Sequence, residues 1–454
     1  MPRPVTELEG RRVVVMGLGR FGGGVGVARY CAKHGADVLV TDTSDADALQ
    51  QSVDQLADLP ITYRLGEHNV SDFTTADLVI VNPAVDPRDN RFLRAAQAAD
   101  VALTSEIRLL VERLPSRERT IGVTGSAGKS TTTAMIGYIL GRDRGAEGPR
   151  DQAKHHRPTR VFVGGNLGGS LLDHVDDMTG DDWVVLELSS FMLEDLAADR
   201  WSPHVAVITN FAANHLDRHG SVEAYRRAKG HIGVCQEGER DRAEYGPGAH
   251  DLFPSYVRDM VSFEADDVPR DPARWIPLLT PGYHNQLNAR LAALAVEQAT
   301  GQSVADSYEA LRDFPGLPHR LQFVAEHAGV RFINDSKSTT PQAAQLALTS
   351  FPGHGVHIIL GGYDKQSDLR ELARSAAREA RAVYTIGQTG DAIAEAVDAA
   401  GGNAVRCGTL ERAMHTLADR VRSGDVVLLS PGCASWDQFE NYEARGRAFG
   451  EAIL

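Results

Sequence analysis

Short apolar runs, rich in valine and isoleucine and each ending in Gly, Asp, Asn or Ser, recur along this chain. They are RRVVVMG, ADVLVTD, DLVIVNP, RTIGVTG, RVFVGG, DWVVLELS, HVAVITN, VRFINDS, VHIILGG, RAVYTIG and DVVLLSP. Between them, stretches such as RFLRAAQAADVAL and NARLAALAVEQATG read as helices. Near-continuous apolar strands alternating with helices predict an α/β protein built on parallel sheets covered on both faces. Ligands of such sheets collect at the carboxyl ends of the strands, so chemistry is expected just after each run.

Two charged stretches rich in Gly and Pro, 141–160 and 239–255, break this rhythm and read as exposed loops. His155 and His156 in the first are adjacent in a solvated loop, which suits surface residues better than metal ligands. DFPGLPHR (313–320) separates a helix from a new set of strands, and LPSRER (114–119) precedes TIGVTG. Those two punctuations predict three domains, 1–115, 116–315 and 316–454, as expected for 454 residues.

After the run TIGV comes TGSAGKS and then STTTAMIGYIL, where Met135, Ile136, Ile139 and Leu140 repeat at helical spacing. The pattern predicts a helix from about Ser130. Strand, glycine loop and helix N-terminus together form an anion cradle of inward backbone N–H groups and helix dipole. Gly125 and Gly128 permit close approach, with Ser126 between them. Lys129 offers a point charge to β- and γ-phosphates, and Ser130 or Thr131 a hydroxyl for Mg²⁺. Glu187 ends WVVLELSS and His215 follows VAVITN, where strands would present both to phosphates; either alone reads as structural. Lys229, in EAYRRAKG on a predicted helix, reads from the residues alone as a surface lysine.

Apolar content of 42% with 24% charged residues is that of a soluble globular chain. A net charge of -14 argues against nucleic-acid and anionic-membrane partners, so any anionic substrate must be held by particular Lys, Arg or N–H groups. Cys31, Cys235, Cys407 and Cys433 are scattered with no CxxC pair, which suits reduced thiols in a cytoplasm. MPRPVTELEG has no apolar leader region, and no run approaches a membrane span.

The blocks GSAGKST, GGNLGGSLL, ELSSFMLE, TNFAANHLDRHGSVEAYRRAK, GYHNQLNARLAAL, FPGLPHRLQ, INDSKSTTP, LGGYDKQSDL and SPGCASWDQFENYEARG occur in one order. Together they resemble the Mur ligases, ATP-dependent amide-forming enzymes of peptidoglycan synthesis, over nearly the whole chain. ELSSF, GLPHR, INDSK and CAS-DQF-N-E-RG look most like the member that adds D-glutamate. The resemblance implies an N-terminal Rossmann-like domain for the UDP part, a central parallel-sheet ATPase domain and a C-terminal Rossmann-like domain. It also implies a monomer with small-molecule substrates. ATP would phosphorylate the carboxylate of UDP-MurNAc-L-alanine, and the amine of D-glutamate would attack the acyl phosphate.

Residue by residue, the resemblance implies that Lys129 holds the transferring phosphate and that Ser130, Thr131 and Glu187 serve Mg²⁺. His215 would serve a second metal position, and Lys229 would be carbamylated to become an oxygen ligand there. Asn285, Asn288, Arg320, Asp335 and Lys337 match ATP-site and catalytic positions. Thr339, Lys365, Ser435 and Tyr442 match positions that receive the amino acid, and Asn166 and Ser189 match acceptor contacts. Gly17, Gly19 and Gly22 of VVVMGLGRFG, with Asp42 ending the next strand, also fit a dinucleotide fingerprint. With an ATP loop downstream, a uridine-diphosphate site is the better reading, and the resemblance puts Gly19, Arg20, Phe21, Asp42 and Thr43 there.

Five places along the chain depart from the family pattern. Ala127 stands where Asn is usual, Met192 where Gln, and Asn214 where an acid precedes the histidine. Asn82, Pro83 and Ala84 replace an S-P-G turn, and Trp436 replaces a smaller aliphatic residue. Ala127 predicts slower or looser ATP use; Met192 and Trp436 raise the alternative of another amino acid or acceptor. A non-catalytic nucleotide-binding regulator would not need Lys129, Glu187, His215 and Lys229, and an NAD-dependent dehydrogenase leaves Lys129, Glu187 and Lys229 unexplained.

Overall fold

The computed structural model describes residues 7–453 apart from 20–21, 84, 143–158, 213–215, 237–240, 250–251, 253–258, 263 and 365–366. Two compact units organise the chain: Met1–Ala265 with Leu291–Val304, and Asp266–Arg290 with Ala305–Leu454.

The first unit holds two sheets, both wholly parallel. β1 (Arg12–Met16), β2 (Asp37–Asp42), β3 (Ile61–Leu65), β4 (Leu78–Val81) and β5 (Ala102–Ser105) lie in the order β3-β2-β1-β4-β5. β6 (Thr120–Thr124), β7 (Val161–Gly165), β8 (Trp183–Glu187), β9 (Val205–Ile208), β10 (Arg242–Tyr245) and β11 (Asp259–Ser262) lie in the order β11-β10-β9-β6-β8-β7. Strand order reverses beside β1 in one sheet and beside β6 in the other, the positions where open parallel sheets part to admit ligands. The register sets Thr124 of β6 opposite Ile208 of β9 and Val123 opposite Glu187 of β8. The chemistry-bearing residues after these strands therefore emerge at one edge.

Alternation along β1 explains the apolar runs. Val13 and Val15 enter one cluster, which continues through Ile107 and Leu110 to Leu186 and Ile208 of the second sheet. Val14 and Met16 enter another on the opposite face. Each such side chain contributes roughly 1.5–3 kcal/mol on leaving water.

In the second unit, β12 (Gln322–His327), β13 (Val330–Asn334), β14 (Val356–Gly361), β15 (Ala380–Ile386), β16 (Ala404–Gly408) and β17 (Val426–Leu429) lie in the order β12-β13-β17-β14-β15-β16. Ile358 and Leu360 face one cluster and Ile359 another, so this sheet too is covered on both sides.

Three expectations need correction. The third sheet is mixed: β12 runs antiparallel to β13. The two are joined through Ala328 and Gly329, both at positive φ (52° and 76°), as a two-residue hairpin turn requires. RFLRAAQAADVAL is not one helix; the helix Arg91–Ala98 ends, Asp100 turns at φ 60°, and β5 begins at Ala102. The stretch 239–255 is not all loop, because Arg242–Tyr245 pairs with both β9 and β11. The 141–160 stretch, with His155 and His156, falls mostly outside the described residues. No described helix is long and apolar enough to cross a membrane.

Candidate active site

The phosphate loop is held from below by the residues that follow β9. Gly125 has φ 145°, and a Cβ there would lie 1.9 Å from Thr209 Oγ1, so only glycine fits. Ser126 N donates to the Asn210 carbonyl (3.1 Å), and Ser126 Oγ donates to the Ala212 carbonyl (2.7 Å). Ala127 N donates to Asn210 Oδ1, and its carbonyl accepts from Asn210 Nδ2, both at 3.0 Å. Thr209 Oγ1 also donates to that carbonyl at 2.5 Å. Gly128 turns at φ 79° into the helix Lys129–Arg142, one residue before the predicted start. Its hydrogen-bond ladder opens with Thr132 N to Gly128 O at 2.9 Å, so the preceding N–H groups point out of the helix N-terminus. Lys129 Nζ curls back to the Gly125 carbonyl at 3.1 Å.

Glu187 and Lys229 meet this loop from neighbouring elements. Glu187 is 2% exposed; its Oε1 accepts from Asn166 Nδ2 at 2.9 Å, while Oε2 is buried with no hydrogen-bond partner among the described residues. An oxygen so placed is what a hard cation would take. Lys229, on the helix Val222–Val234, is 1% exposed, which overturns its reading as a surface lysine. Its Nζ donates to Thr124 Oγ1 at 3.3 Å and lies 4.8 Å from the Tyr225 ring centre. Burial, and then the Lys129 ammonium, push this amine down to about 7, against the opposing pull of Glu187. A neutral, nucleophilic amine is therefore well populated at neutral pH. Ser130 and Thr131 open the helix beside Lys129. His215 and the neighbouring Asn214 lie outside the described residues. Among the described residues no cluster of three or more His, Cys, Asp or Glu could hold a metal. Mg²⁺ needs none, because it keeps water and substrate phosphate in most of its positions.

The first sheet builds a second glycine turn. Gly17, Gly19 and Gly22 have φ 92°, 65° and 87°. Asp42 braces the turn through the backbone: its Oδ2 accepts from Leu18 N (2.9 Å) and Gly19 N (3.3 Å), and its Oδ1 from Ser44 N (2.8 Å). Thr43 is exposed beside it, while Arg20, Phe21 and Ala84 lie outside the described residues. Across the turn, Asn82 Nδ2 donates to the Gly17 carbonyl at 3.2 Å. A small crevice is lined by Gly17, Gly23, Gly24, Asn82 and Glu106. Burial raises the Glu106 carboxyl to about 7, with the Ser170 hydrogen bond opposing. The 165–170 loop packs on the helix Gly23–Lys33: a Cβ at Gly26 would lie 2.2 Å from that of Ser170. Ser189 caps the helix Ser190–Ala198 by accepting from Met192 N at 3.2 Å.

The remaining candidates gather in the second unit. Asp335 is buried, accepting from Leu321 N (3.0 Å) and Ser430 Oγ (2.7 Å). Burial raises it to about 6, against hydrogen bonds from Ser338, Ser430 and Leu321 and the charge of Arg320. Lys337 is exposed, with Nζ 5.6 Å from the Tyr442 ring centre. Asn288 Nδ2 donates to Asn285 Oδ1 at 3.2 Å, and Asn285 Nδ2 to the Pro281 carbonyl at 2.7 Å. Thr339, Tyr363, Asp364, Thr389, Cys433 and Ala434 line a small cavity next to buried Ser435. Lys365 lies outside the described residues.

Three residues here were not singled out from the sequence. Arg445, 1% exposed, donates to Ser336 Oγ and to the carbonyls of Ser336, Cys433 and Ala434 at 2.9–3.2 Å, fixing the turn before Ser435. Asn210 and Glu106 are the others. The position of Asn210 directly after the apolar run VAVIT was the available signal.

The matches to known proteins follow this geometry. Residues 11–105 match the Mur ligase MurD-like N-terminal domain, 123–237 the Mur ligase middle domain, and 319–433 the Mur ligase glutamate ligase domain. A UDP-N-acetylmuramoylalanine–D-glutamate ligase of Acidobacterium capsulatum is 37% identical over 473 residues, 99% of this chain and 97% of its own. A protein of the same name from Roseiflexus sp. is 37% identical over 481 residues, covering 98% of this chain and 99% of its own. The chain belongs to the Mur ligase family. Three Mur ligase domains thus follow one another, the first two on parallel sheets and the third on a mixed one. The fold is shared with the crystal structure of a UDP-N-acetylmuramate–alanine ligase from Thermotoga maritima, at TM-score 0.60 and 22% identity over 98% of this chain and 99% of that one.

Proposed function

We propose that this Mur ligase joins D-glutamate to the L-alanyl carboxylate of UDP-N-acetylmuramoyl-L-alanine at the expense of ATP, a step in peptidoglycan precursor synthesis. The observation that carries the reading is the meeting, at one sheet edge, of the Lys129 loop, buried Lys229 and a Glu187 oxygen with no hydrogen-bond partner among the described residues. It occurs in a chain whose near full-length relatives bear the D-glutamate ligase name.

The acceptor carboxylate attacks the γ-phosphorus of ATP; ADP leaves, and an acyl phosphate forms. The D-glutamate amine then attacks the acyl carbon, the tetrahedral oxyanion collapses, inorganic phosphate leaves and the amine proton is lost. No protein nucleophile is needed, so catalysis is positioning and charge neutralisation. N–H groups of Gly125–Thr131 and the Lys129 ammonium hold the phosphates, together with Asn285, Asn288, Arg320 and Asp335. The glycine turn at Gly19 and the residues Arg20, Phe21, Asp42 and Thr43 serve the UDP end, and Asn166 and Ser189 the acyl end. Thr339, Lys365, Ser435 and Tyr442 receive D-glutamate, with Lys337 at the reacting groups.

Mg²⁺ fits the donor set, because Glu187 Oε2 is buried and unsatisfied among the described residues. Ser130, Thr131, Glu187, His215 and a carbamylated Lys229 are the residues that would hold it at two positions. When bound, Mg²⁺ offsets the charge of the phosphates. Lys229 would acquire its carbamate by attack of the neutral amine on CO₂ with loss of a proton. We place the domain limits at 1–115, 116–315 and 316–454, and take the protein to be a cytoplasmic monomer without nucleic-acid or membrane partners.

A second reading, transfer of a different amino acid, is favoured by Trp436. It stands 62% exposed, 5.5 Å from Tyr363 at the small cavity. Phosphate release from ATP with UDP-MurNAc-L-alanine and a panel of amino acids tests both. Release that depends on D-glutamate supports the first reading; release with another amino acid alone replaces it with the second.

A further inference from the structure

The segment after His215 reaches back to the first sheet. Arg218 donates from Nη1 to the Pro83 carbonyl at 2.9 Å and from Nη2 to the Val85 carbonyl at 3.2 Å. Its guanidinium lies 4.0 Å from the ring centre of Phe191, and Phe191 stacks on His219 at 5.1 Å and 11°. The fastening is reciprocal: Arg88 Nη1 donates to the Arg218 carbonyl, and Asp86 holds the Arg88 guanidinium in place. His219 is fixed in turn by Ser190 Oγ (2.9 Å) and Glu194 (3.3 Å). Pro83, Arg88, Phe191, Arg218 and His219 together wall a cavity of about 400 Å³.

One planar fork thus binds three elements. The turn at Pro83–Val85 follows β4, beside the glycine crevice. Phe191 lies four residues after Glu187, and Arg218 three after His215. A lysine offers a point charge without the planar fork, so it reproduces the paired carbonyl contacts and the stacking on the ring less well.

We propose that Arg218 is a positioning residue for the ligation, holding the acceptor-side turn in register with the two segments that lead from Glu187 and His215. The inference rests on the ligase reading above. Its loss lets the acceptor carboxylate drift from the phosphates, so the effect falls on the acceptor more than on ATP.

The test uses the full chain carrying Arg218→Ala, Arg218→Lys or Arg88→Ala. Steady-state kinetics are measured against each substrate in turn, and backbone hydrogen exchange is measured without substrate. Arg218→Ala is expected to raise KM for UDP-MurNAc-L-alanine about tenfold, the scale of losing charge-assisted hydrogen bonds, with KM for ATP within about twofold. Arg218→Lys should fall between, and Arg88→Ala should show a smaller shift of the same kind. Exchange should quicken at 85–91 and 216–219 together. Unchanged exchange at 85–91 in Arg218→Ala overturns the tether whatever the kinetics. A drop in kcat with every KM unchanged and a lower unfolding midpoint reduces Arg218 to packing. Wild-type protein without D-glutamate-dependent phosphate release sinks the ligase reading, and the exchange measurement still decides the tether.

Discussion

Asn210 grips Ala127 with both ends of its amide, Oδ1 accepting from the Ala127 N–H and Nδ2 donating to the Ala127 carbonyl, each at 3.0 Å. The alanine that replaces the family's usual asparagine is thus not left loose. The amide ties down the peptides on both sides of this residue, which is itself exposed. Asn210→Ala removes two hydrogen bonds to the loop, a cost of roughly 1–3 kcal/mol, and should raise KM for ATP several-fold. Ala127→Asn should change KM for ATP less than Asn210→Ala does. Nucleotide titration by calorimetry ranks the two, and the reverse order would show that the side chain at 127 matters more than the peptide it carries.

Lys129 and Lys229 both bring a side-chain nitrogen to the same strand end, and their replacement should fail differently. Lys129→Ala should abolish turnover, and no small molecule should bring it back. Lys229→Ala should lose roughly a thousandfold, the scale of one electrostatic group in a preorganised site, and be partly restored by formate or acetate. Rates with and without the added acid decide it; wild-type activity in Lys229→Ala would remove any metal-supporting role.

Glu106 gives the first unit a pH dependence of definite sign. Burial raises its folded-state pKa from 4.5 to about 7, so between those values the folded state holds a proton that the unfolded state has released. Stability from this group is complete at low pH and is lost as pH rises through that window. Glu106→Gln removes the loss. Its melting midpoint should match wild type near about pH 5 and exceed it near about pH 8.5. As pH rises through about 7 the folded carboxyl ionises and the crevice it lines becomes more negative, so KM for the UDP substrate should rise there in wild type and stay flatter in Glu106→Gln.

Arg445 is buried among carbonyls in the second unit, and burial alone pulls it down to about 10. Arg445→Ala takes the guanidinium donor from the carbonyls of Ser336 and Cys433, leaves Ala434 only its bond from Tyr363 N, and opens a void. Together these should cost about 3 kcal/mol, with KM for the amino acid rising well before ATP binding changes. Urea unfolding and separate substrate titrations measure the two effects.

What the sequence could and could not disclose follows from how local each signal is. β1, β2, β4 and β6 are buried on both faces, so they are written as unbroken apolar runs. β10 reads Arg-Ala-Glu-Tyr and looks like loop, because only its neighbours β9 and β11 make it a strand. β5 hid behind a helical pattern whose stop depends on Asp100 adopting positive φ. The phosphate loop was legible because glycine, lysine and hydroxyl act through the backbone beside them. Asn210 was not, since its reach to Ala127 depends on the register of β9 against β6. Lys229 was identified only through the family resemblance; its burial against Thr124 supplies the physical basis.

Trp436 gives the second unit a native optical reporter. Of the four tryptophans, Trp183 is buried, Trp201 and Trp275 are partly covered, and Trp436 alone stands in solvent. A neutral quencher such as acrylamide reaches it first, so the quenchable part of the intrinsic fluorescence comes chiefly from the rim of the cavity lined by Thr339 and Cys433. Shielding of that signal would follow occupancy there in the unlabelled protein.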